Sequence, residues 1–165
     1  NSDPNLSQSN AGETTHAGME FSVGLVFGNG FSIDANATWV PESDFKTGGY
    51  QGNRLPYAPK VLANLALNYQ RGDFSGGVLV HHRGEQYGDP SNKVALPTGA
   101  AGGIWGGRLD PYTITDAVAQ YEFSSNLTVF GSVKNVMDER AITGLRQGIY
   151  VAPGRSVEMG VRIRL

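Results

Sequence analysis

The sequence has no cysteine among its 165 residues. That excludes a disulfide framework, a Cys-based metal centre and a thiol nucleophile. An excess of either charge is also missing, because 13 basic and 15 acidic residues give a formal net charge of −2. The electrostatic footprint of a nucleic-acid binder is therefore absent. No run approaches the ~20 consecutive apolar residues that a membrane-spanning helix requires. The opening "NSDPNLSQSN" has neither the basic nor the apolar region of a signal peptide, so it reads as a mature chain or a piece of a longer one. Helical periodicity is lacking too, since no long segment repeats apolar residues at i, i+3, i+4 and i+7. Glycine, in contrast, is abundant at 23 residues, well above the roughly 7% of average composition.

The period that is present is two, which predicts strands. Seven runs show it, near 14–27, 31–40, 58–70, 74–87, 112–123, 126–138 and 156–165. Short turns join the first pair at Gly28-Asn29-Gly30, the second at Arg71-Gly72-Asp73 and the third at Ser124-Ser125. Gly and Asn there supply the positive φ that tight hairpins demand. The other joints are long, at 41–57, 88–111 and 139–155, and 95–107 ("ALPTGAAGGIWGG") reads as a flexible loop. Long and short connections alternate, as they do in a bacterial outer-membrane barrel with short periplasmic turns and long external loops.

Charge placement supports the same reading. Met19, Phe21, Val23, Leu25 and Phe27 share one face of the first run, against Glu20, Ser22 and Gly24. Phe31, Ile33, Ala35, Ala37 and Trp39 oppose Ser32, Asp34, Asn36 and Thr38 in the second. Val61, Ala63, Leu65, Leu67 and Tyr69 oppose Lys60, Asn64, Asn68 and Gln70 in the third. The fourth is weaker, and the fifth and sixth set Ala117, Tyr121, Val129 and Val133 against Asp116, Glu122, Thr128 and Lys134. Within these spans no Asp, Glu, Lys or Arg falls on the apolar side. A cation at a lipid-facing midplane costs about 2–4 kcal/mol, a pressure that a water-exposed sheet does not feel. Phe27, Phe31, Tyr69, Phe74, Tyr121 and Phe123 gather beside the short turns, and Trp39 and Tyr57 near the long loops, as two aromatic girdles would.

Seven strands do not make a single-chain bacterial barrel, which needs an even number. The expectation is therefore a segment whose beginning lies elsewhere, or an eighth strand hidden in residues 1–13. Four motifs bear on this. "NAGETTHAGME" (Asn10–Glu20) precedes the first strand, "RLPYAPK" (Arg54–Lys60) opens the third, "VKNVMDER" (Val133–Arg140) ends the sixth, and "PGRSVEMGVRIRL" (Pro153–Leu165) forms the last. In order and spacing the four resemble the C-terminal third of the β-barrel of TonB-dependent outer-membrane receptors, of the ferric-siderophore or ferric-citrate type. Val136-Met137 stands where the family has Leu-Phe, and Leu165 where Phe is usual; both keep the apolar character.

The resemblance implies an all-β fold, an antiparallel transmembrane β-barrel segment of about seven strands that closes a 22-strand barrel. It implies a Gram-negative outer-membrane location and uptake of an iron chelate. The plug and the earlier strands would lie outside this chain. The implied partners are outer-membrane lipid, the rest of the barrel and its plug, the TonB complex acting through that plug, the barrel-assembly machinery and a ferric chelate. Gly160, Ile163 and Leu165 match the family's terminal assembly signal.

No catalytic constellation, cofactor or metal site is expected. His81 and His82 are adjacent and fall on opposite faces, so they cannot chelate one ion together. Asp138, Glu139 and Arg140 read as a solvated cluster, and "GGIWGG" lacks a Walker lysine. The inward charges Glu20, Asp34, Lys60, Asp116, Glu122, Lys134, Glu158, Arg162 and Arg164 are expected to pair across strands and grip a plug. Arg108, Arg146 and Tyr150 are loop candidates for an external ligand. Two alternatives remain at this point: an independent barrel of about eight strands with an adhesion or structural role, and a soluble β-sandwich or lipocalin-like carrier.

Overall fold

A computed structural model describes residues 12–95, 106–146 and 148–165. Most of the presumed flexible loop 95–107, and most of the 1–13 segment that could hide an eighth strand, lie outside the described residues. The elements are β1 (Thr14–Val26), β2 (Phe31–Phe45), β3 (Val61–Arg71), β4 (Phe74–Arg83), β5 (Gln86–Tyr87), β6 (Arg108–Leu109), β7 (Tyr112–Ser124), β8 (Leu127–Lys134), β9 (Ile142–Leu145), β10 (Ile149–Val151) and β11 (Ser156–Ile163). There is no helix among the described residues.

Seven of these strands form one antiparallel sheet in the order β1-β2-β3-β4-β7-β8-β11, so each long strand lies beside the next in the chain. The pairs β9–β10 and β5–β6 are small separate ribbons in the long connections. Among the described residues no second sheet covers the first, which removes the sandwich alternative. The seven expected runs match the seven long strands. Four differ by three residues or more at one end: 31–40 continues to Phe45, 58–70 begins at Val61, 74–87 breaks after Arg83, and 126–138 stops at Lys134. The third short turn is Ser125-Asn126, one residue later than expected.

Antiparallel partners share a face, so the register tests the parity directly. One row runs Leu25, Ile33, Leu67, Val78, Ala117, Val133, Val157 across all seven strands. Another runs Phe21, Ala37, Ala63, His82, Thr113. The apolar residues of separate strands thus join into one continuous face. Near the short turns Phe31, Tyr69 and Phe74 touch in series, with ring centroids 4.5 and 6.1 Å apart, and Tyr121 meets Phe123 at 4.8 Å. Arg71, just past the expected span, is the one strand cation on this face; it pairs with Phe74 beside the turn, where its head can reach water.

Buried side chains are not found between the girdles. Every buried residue among those described belongs to 43–59, 84–86, 106–109 or 135–152. In a water-soluble β-protein the sheet itself would carry the core. Here the sheet's two faces are left for other media, and among the described residues the packed interior lies in the long connections.

The upper end of β2 departs from simple alternation. Ala17 pairs with Glu42 and Met19 with Trp39, so β2 carries one extra residue at Val40–Pro41. This is a bulge, and Gly18 opposite makes it possible: a Cβ there would sit 2.6 Å from the Trp39 carbonyl oxygen. A bulge reverses the parity beyond it. Ser43 and Phe45 turn inward and are buried, while Glu42 and Asp44 pair with Ala17 and Thr15 on the other face. The face that is apolar up to Trp39 becomes acidic directly above it.

Candidate functional site

Two surfaces can meet a ligand or partner: the polar face of the sheet and the loop cluster above it. On the polar face, successive rows bring together Ser22, Asn36, Asn64 and His81. Asn64 donates from Nδ2 to Asn36 Oδ1 at 2.8 Å, and its own Oδ1 lies 2.7 Å from His81 Nδ1. A carbonyl oxygen can only accept, so Nδ1 carries the hydrogen and neutral His81 presents a bare Nε2. Nearer the short turns, Asn68, Gln70, Gln120, Ser132, Glu158 and Arg162 line a hollow of about 510 Å³. The adjacent His82 bonds Thr113 Oγ1 at 2.9 Å on the apolar face, so the two imidazoles diverge as alternation requires.

Among the described inward charges one cross-strand ion pair forms, Lys134 Nζ to Glu158 Oε1 at 3.3 Å. Both side chains are mostly exposed, so it is worth about 0–1 kcal/mol. The Arg162 guanidinium instead lies 5.7 Å from the Phe130 ring centroid. That ring covers Gly160, where a Cβ would approach Phe130 Cζ to 2.3 Å. Gly160 therefore has a packing reason of its own. Its register puts it on the polar face, while Ile163 pairs with Leu127 on the apolar one.

The loop cluster is held by side chains whose roles the sequence does not reveal. Arg54 is 7% exposed. Its Nε donates to Ala58 O at 2.8 Å, Nη1 to Pro41 O at 3.2 Å and Nη2 to Val40 O at 2.5 Å. The carbonyls freed by the bulge are thus capped by one guanidinium. Proline within a strand is the sequence signal that marks such a bulge. Tyr57, expected at an upper girdle, is a strut instead. Its hydroxyl donates to Leu145 O at 3.0 Å and accepts from Leu145 N at 3.2 Å, tying the first long connection to the third. Tyr57 adopts φ 55°, and its own N–H donates to Tyr87 O at 2.8 Å.

Asp89 latches the second connection. Ser91 N and Gly107 N donate to its carboxylate at 2.7 and 2.9 Å. Burial works to raise its pKa, but the Ser91 hydroxyl, these backbone donors and Lys93 outweigh it and hold the carboxyl below the usual range. Asn135 does the same at the base of the third connection: Nδ2 donates to Glu139 O and Pro153 O, and Oδ1 accepts from Glu139 N. Asp138 Oδ1 accepts from Arg155 N at 2.9 Å, and that bond and the Arg140 guanidinium hold its pKa low. The "VKNVMDER" motif is therefore a clamp that sets the start of β11.

Of the three ligand candidates, Arg108 is engaged by Asp110 at 3.0 Å and Glu85 at 3.7 Å, in a cleft with Glu139 and Arg140. Arg146 and Tyr150 lie together on the β9–β10 ribbon and are exposed.

A family model described as "TonB dependent receptor-like, beta-barrel" matches residues 1–136. The metal-pseudopaline receptor CntO of Pseudomonas aeruginosa is 28% identical over 120 residues, 70% of this chain and 15% of that protein. The probable TonB-dependent siderophore receptor PiuA of Acinetobacter baumannii is 24% identical over 170 residues, 94% of this chain and 21% of its own. In fold, the ferric yersiniabactin uptake receptor FyuA from Yersinia pestis superposes with a TM-score of 0.76 at 24% identity, over 93% of this chain and 24% of that one. The chain therefore spans less than a quarter of each of these three proteins.

Proposed function

The chain belongs to the TonB-dependent receptor-like β-barrel family, and from that premise we propose that it is the C-terminal, closing part of an outer-membrane transporter that takes up an iron or similar metal chelate. The observation that carries the reading is the face-to-face contrast of one seven-stranded meander. One side is free of charge between its aromatic belts, and the other carries the polar and charged side chains, interrupted by Leu62, Ala66, Leu79, Val118 and Phe130. Such a sheet suits hydrocarbon outside and a wet, plug-filled lumen inside. The membrane is the outer membrane of a Gram-negative bacterium, crossed several times by strands.

In this reading the plug, its TonB contact and the earlier strands belong to other parts of a longer polypeptide. The polar hollow around Gln120 and Glu158 is where the plug rests against the wall. Arg146 and Tyr150 face the external chelate from the β9–β10 ribbon, and Gly160, Ile163 and Leu165 form the signal read by the barrel-assembly machinery. The chelate class is suggested by relatives named for metal-pseudopaline and siderophore. The chain acts as a receptor wall, not as an enzyme. The test is uptake of radiolabelled iron chelates by iron-starved cells with and without the gene, in TonB-positive and TonB-negative strains. Loss of uptake of one chelate in both the gene-deleted and the TonB-deleted cells is expected. Uptake unchanged for all chelates in the deletion strain contradicts the proposal.

A further inference from the structure

The apolar face is not evenly filled. Ala35, Ala37 and Ala63 lie side by side on β2 and β3, and Phe21, Leu65 and Val80 stand around them. The result is a shallow, almost wholly apolar hollow of about 600 Å³; of the polar residues that border it, Ser22, Asn36 and Asn64 belong by register to the opposite face, and His82 to this one. Its height can be worked out from the strand. His82 stands eight residues along β4 from Phe74 at the short turn. At about 3.4 Å per residue and a tilt of about 40°, it sits about 20 Å above the lower girdle, near the upper edge of a band about 25 Å tall. Trp39 is the same number of residues along β2 from Phe31, so the imidazole shares the level of the upper aromatic girdle. Nδ1 bonds Thr113 Oγ1 at 2.9 Å, which orients the ring and leaves Nε2 available.

An alkyl-sized trough that ends at a donor placed at headgroup level has the shape of a lipid site. We propose that this face binds one outer-leaflet lipid, with an acyl chain lying over Ala35, Ala37 and Ala63 and a headgroup phosphate hydrogen-bonded by His82. The row itself carries the argument. Large residues at Ala37 and Ala63 would serve equally well as generic membrane-facing surface; a second, smaller apolar hollow of about 280 Å³ lies on the same face among Ala117, Ala119, Gly131 and Met159, but the larger one has a hydrogen-bonding side chain at its upper end. The acidic Glu42 and Asp44, turned outward by the bulge, both lie on β2 above Trp39, and the immediate neighbours of His82 on this face, Ala63 and Thr113, are uncharged. A phosphate at His82 therefore meets no carboxylate from the adjoining strands.

This inference rests on the membrane reading of the apolar face. Its test uses the full receptor polypeptide, extracted in mild detergent and stripped of lipid. Lipid A and its dephosphorylated form are titrated in and bound lipid is counted by native mass spectrometry. The wild type is expected to retain one lipid A and to prefer it about tenfold over the dephosphorylated form. The pair A37L/A63L, which fills the trough, should lose retention of both lipids about fivefold or more. H82Q should keep the acyl contribution and lose the preference for phosphate. Heat-modifiable migration on gels shows whether each variant is folded, and A63V is the milder replacement if the double variant is not. Equal retention and equal preference in all folded proteins overturn the lipid site. Failure of the wild type to fractionate with outer membranes would instead overturn the membrane reading beneath it.

Discussion

Moving an arginine by one position along β3 should separate two outcomes that differ only in which side of the sheet it enters. Leu67 lies on the apolar face between Ile33 and Val78, four residues above the end of β3 and so close to the middle of the band. Ala66 is its neighbour on the polar face, directly opposite Asp34. Leu67→Arg places a guanidinium in hydrocarbon, at a cost of about 2–4 kcal/mol near the midplane. Ala66→Arg places the same group beside a carboxylate, where an opposite-charge cross-strand pair contributes roughly 0.2–1 kcal/mol. Backbone propensity and neighbours along the chain are nearly the same, so the difference reports the medium. At 1.4 kcal/mol per tenfold, the sum of the two effects reduces the folding equilibrium of the lipid-side variant about 40- to 4,000-fold relative to the lumen-side one. Urea unfolding of the receptor in lipid bilayers, followed by tryptophan fluorescence and heat-modifiability, measures it. Equal destabilisation, or a larger penalty at Ala66, would refute the assignment of faces.

Three further outcomes follow from the loop cluster. Arg54→Met leaves the Val40 and Pro41 carbonyls without their shared donor and should cost about 2–3 kcal/mol, in the range of buried hydrogen bonds to a charged group; faster hydrogen exchange confined to 40–46 checks it. Tyr57→Phe removes both bonds to the Leu145 backbone and should make the third long connection sensitive to limited proteolysis while leaving the strands intact. The clamp at Asp138 has a defined pH response. Its folded pKa lies below the ordinary 3.8 because the Arg155 amide and the Arg140 guanidinium favour the carboxylate, so its contribution is complete above that value and lost as pH falls through the lower folded one. Exchange at the Arg155 amide should therefore accelerate only below about pH 4, and Asp138→Asn should abolish that step.

The parts of this architecture that repeat locally are the parts a sequence reveals. Alternation in "VLANLALNYQ" and the Gly-Asn-Gly turn fix strand, turn and face over a few residues, and the family motifs place them within a known barrel. What depends on a distant partner is hidden. The bulge at Val40–Pro41 requires Gly18 on the facing strand, and the parity reversal that buries Ser43 and exposes Glu42 follows from it; Pro41 was the one local sign. Tyr57 looks like a girdle aromatic until its hydroxyl is seen on Leu145, 88 positions away. Asn135 is recognisable as part of a motif, but its bonds to Glu139 and Pro153 explain what the motif does. Arg108 looked as available as Arg146 because ion pairing with Asp110 and Glu85 is settled by folding.

The absence of cysteine gives a clean background in these strands for the most direct test of the two-faced wall. Single cysteines placed in turn at 64 to 69 along β3, in receptors embedded in native outer membranes, are exposed to a membrane-impermeant thiol reagent and to a lipid-soluble one. The account predicts that Leu65, Leu67 and Tyr69 positions react with the lipid-soluble reagent alone, and that Asn64, Ala66 and Asn68 positions react with the aqueous one once the outer membrane is opened. Reactivity that fails to alternate, or alternates in the opposite phase, would contradict it.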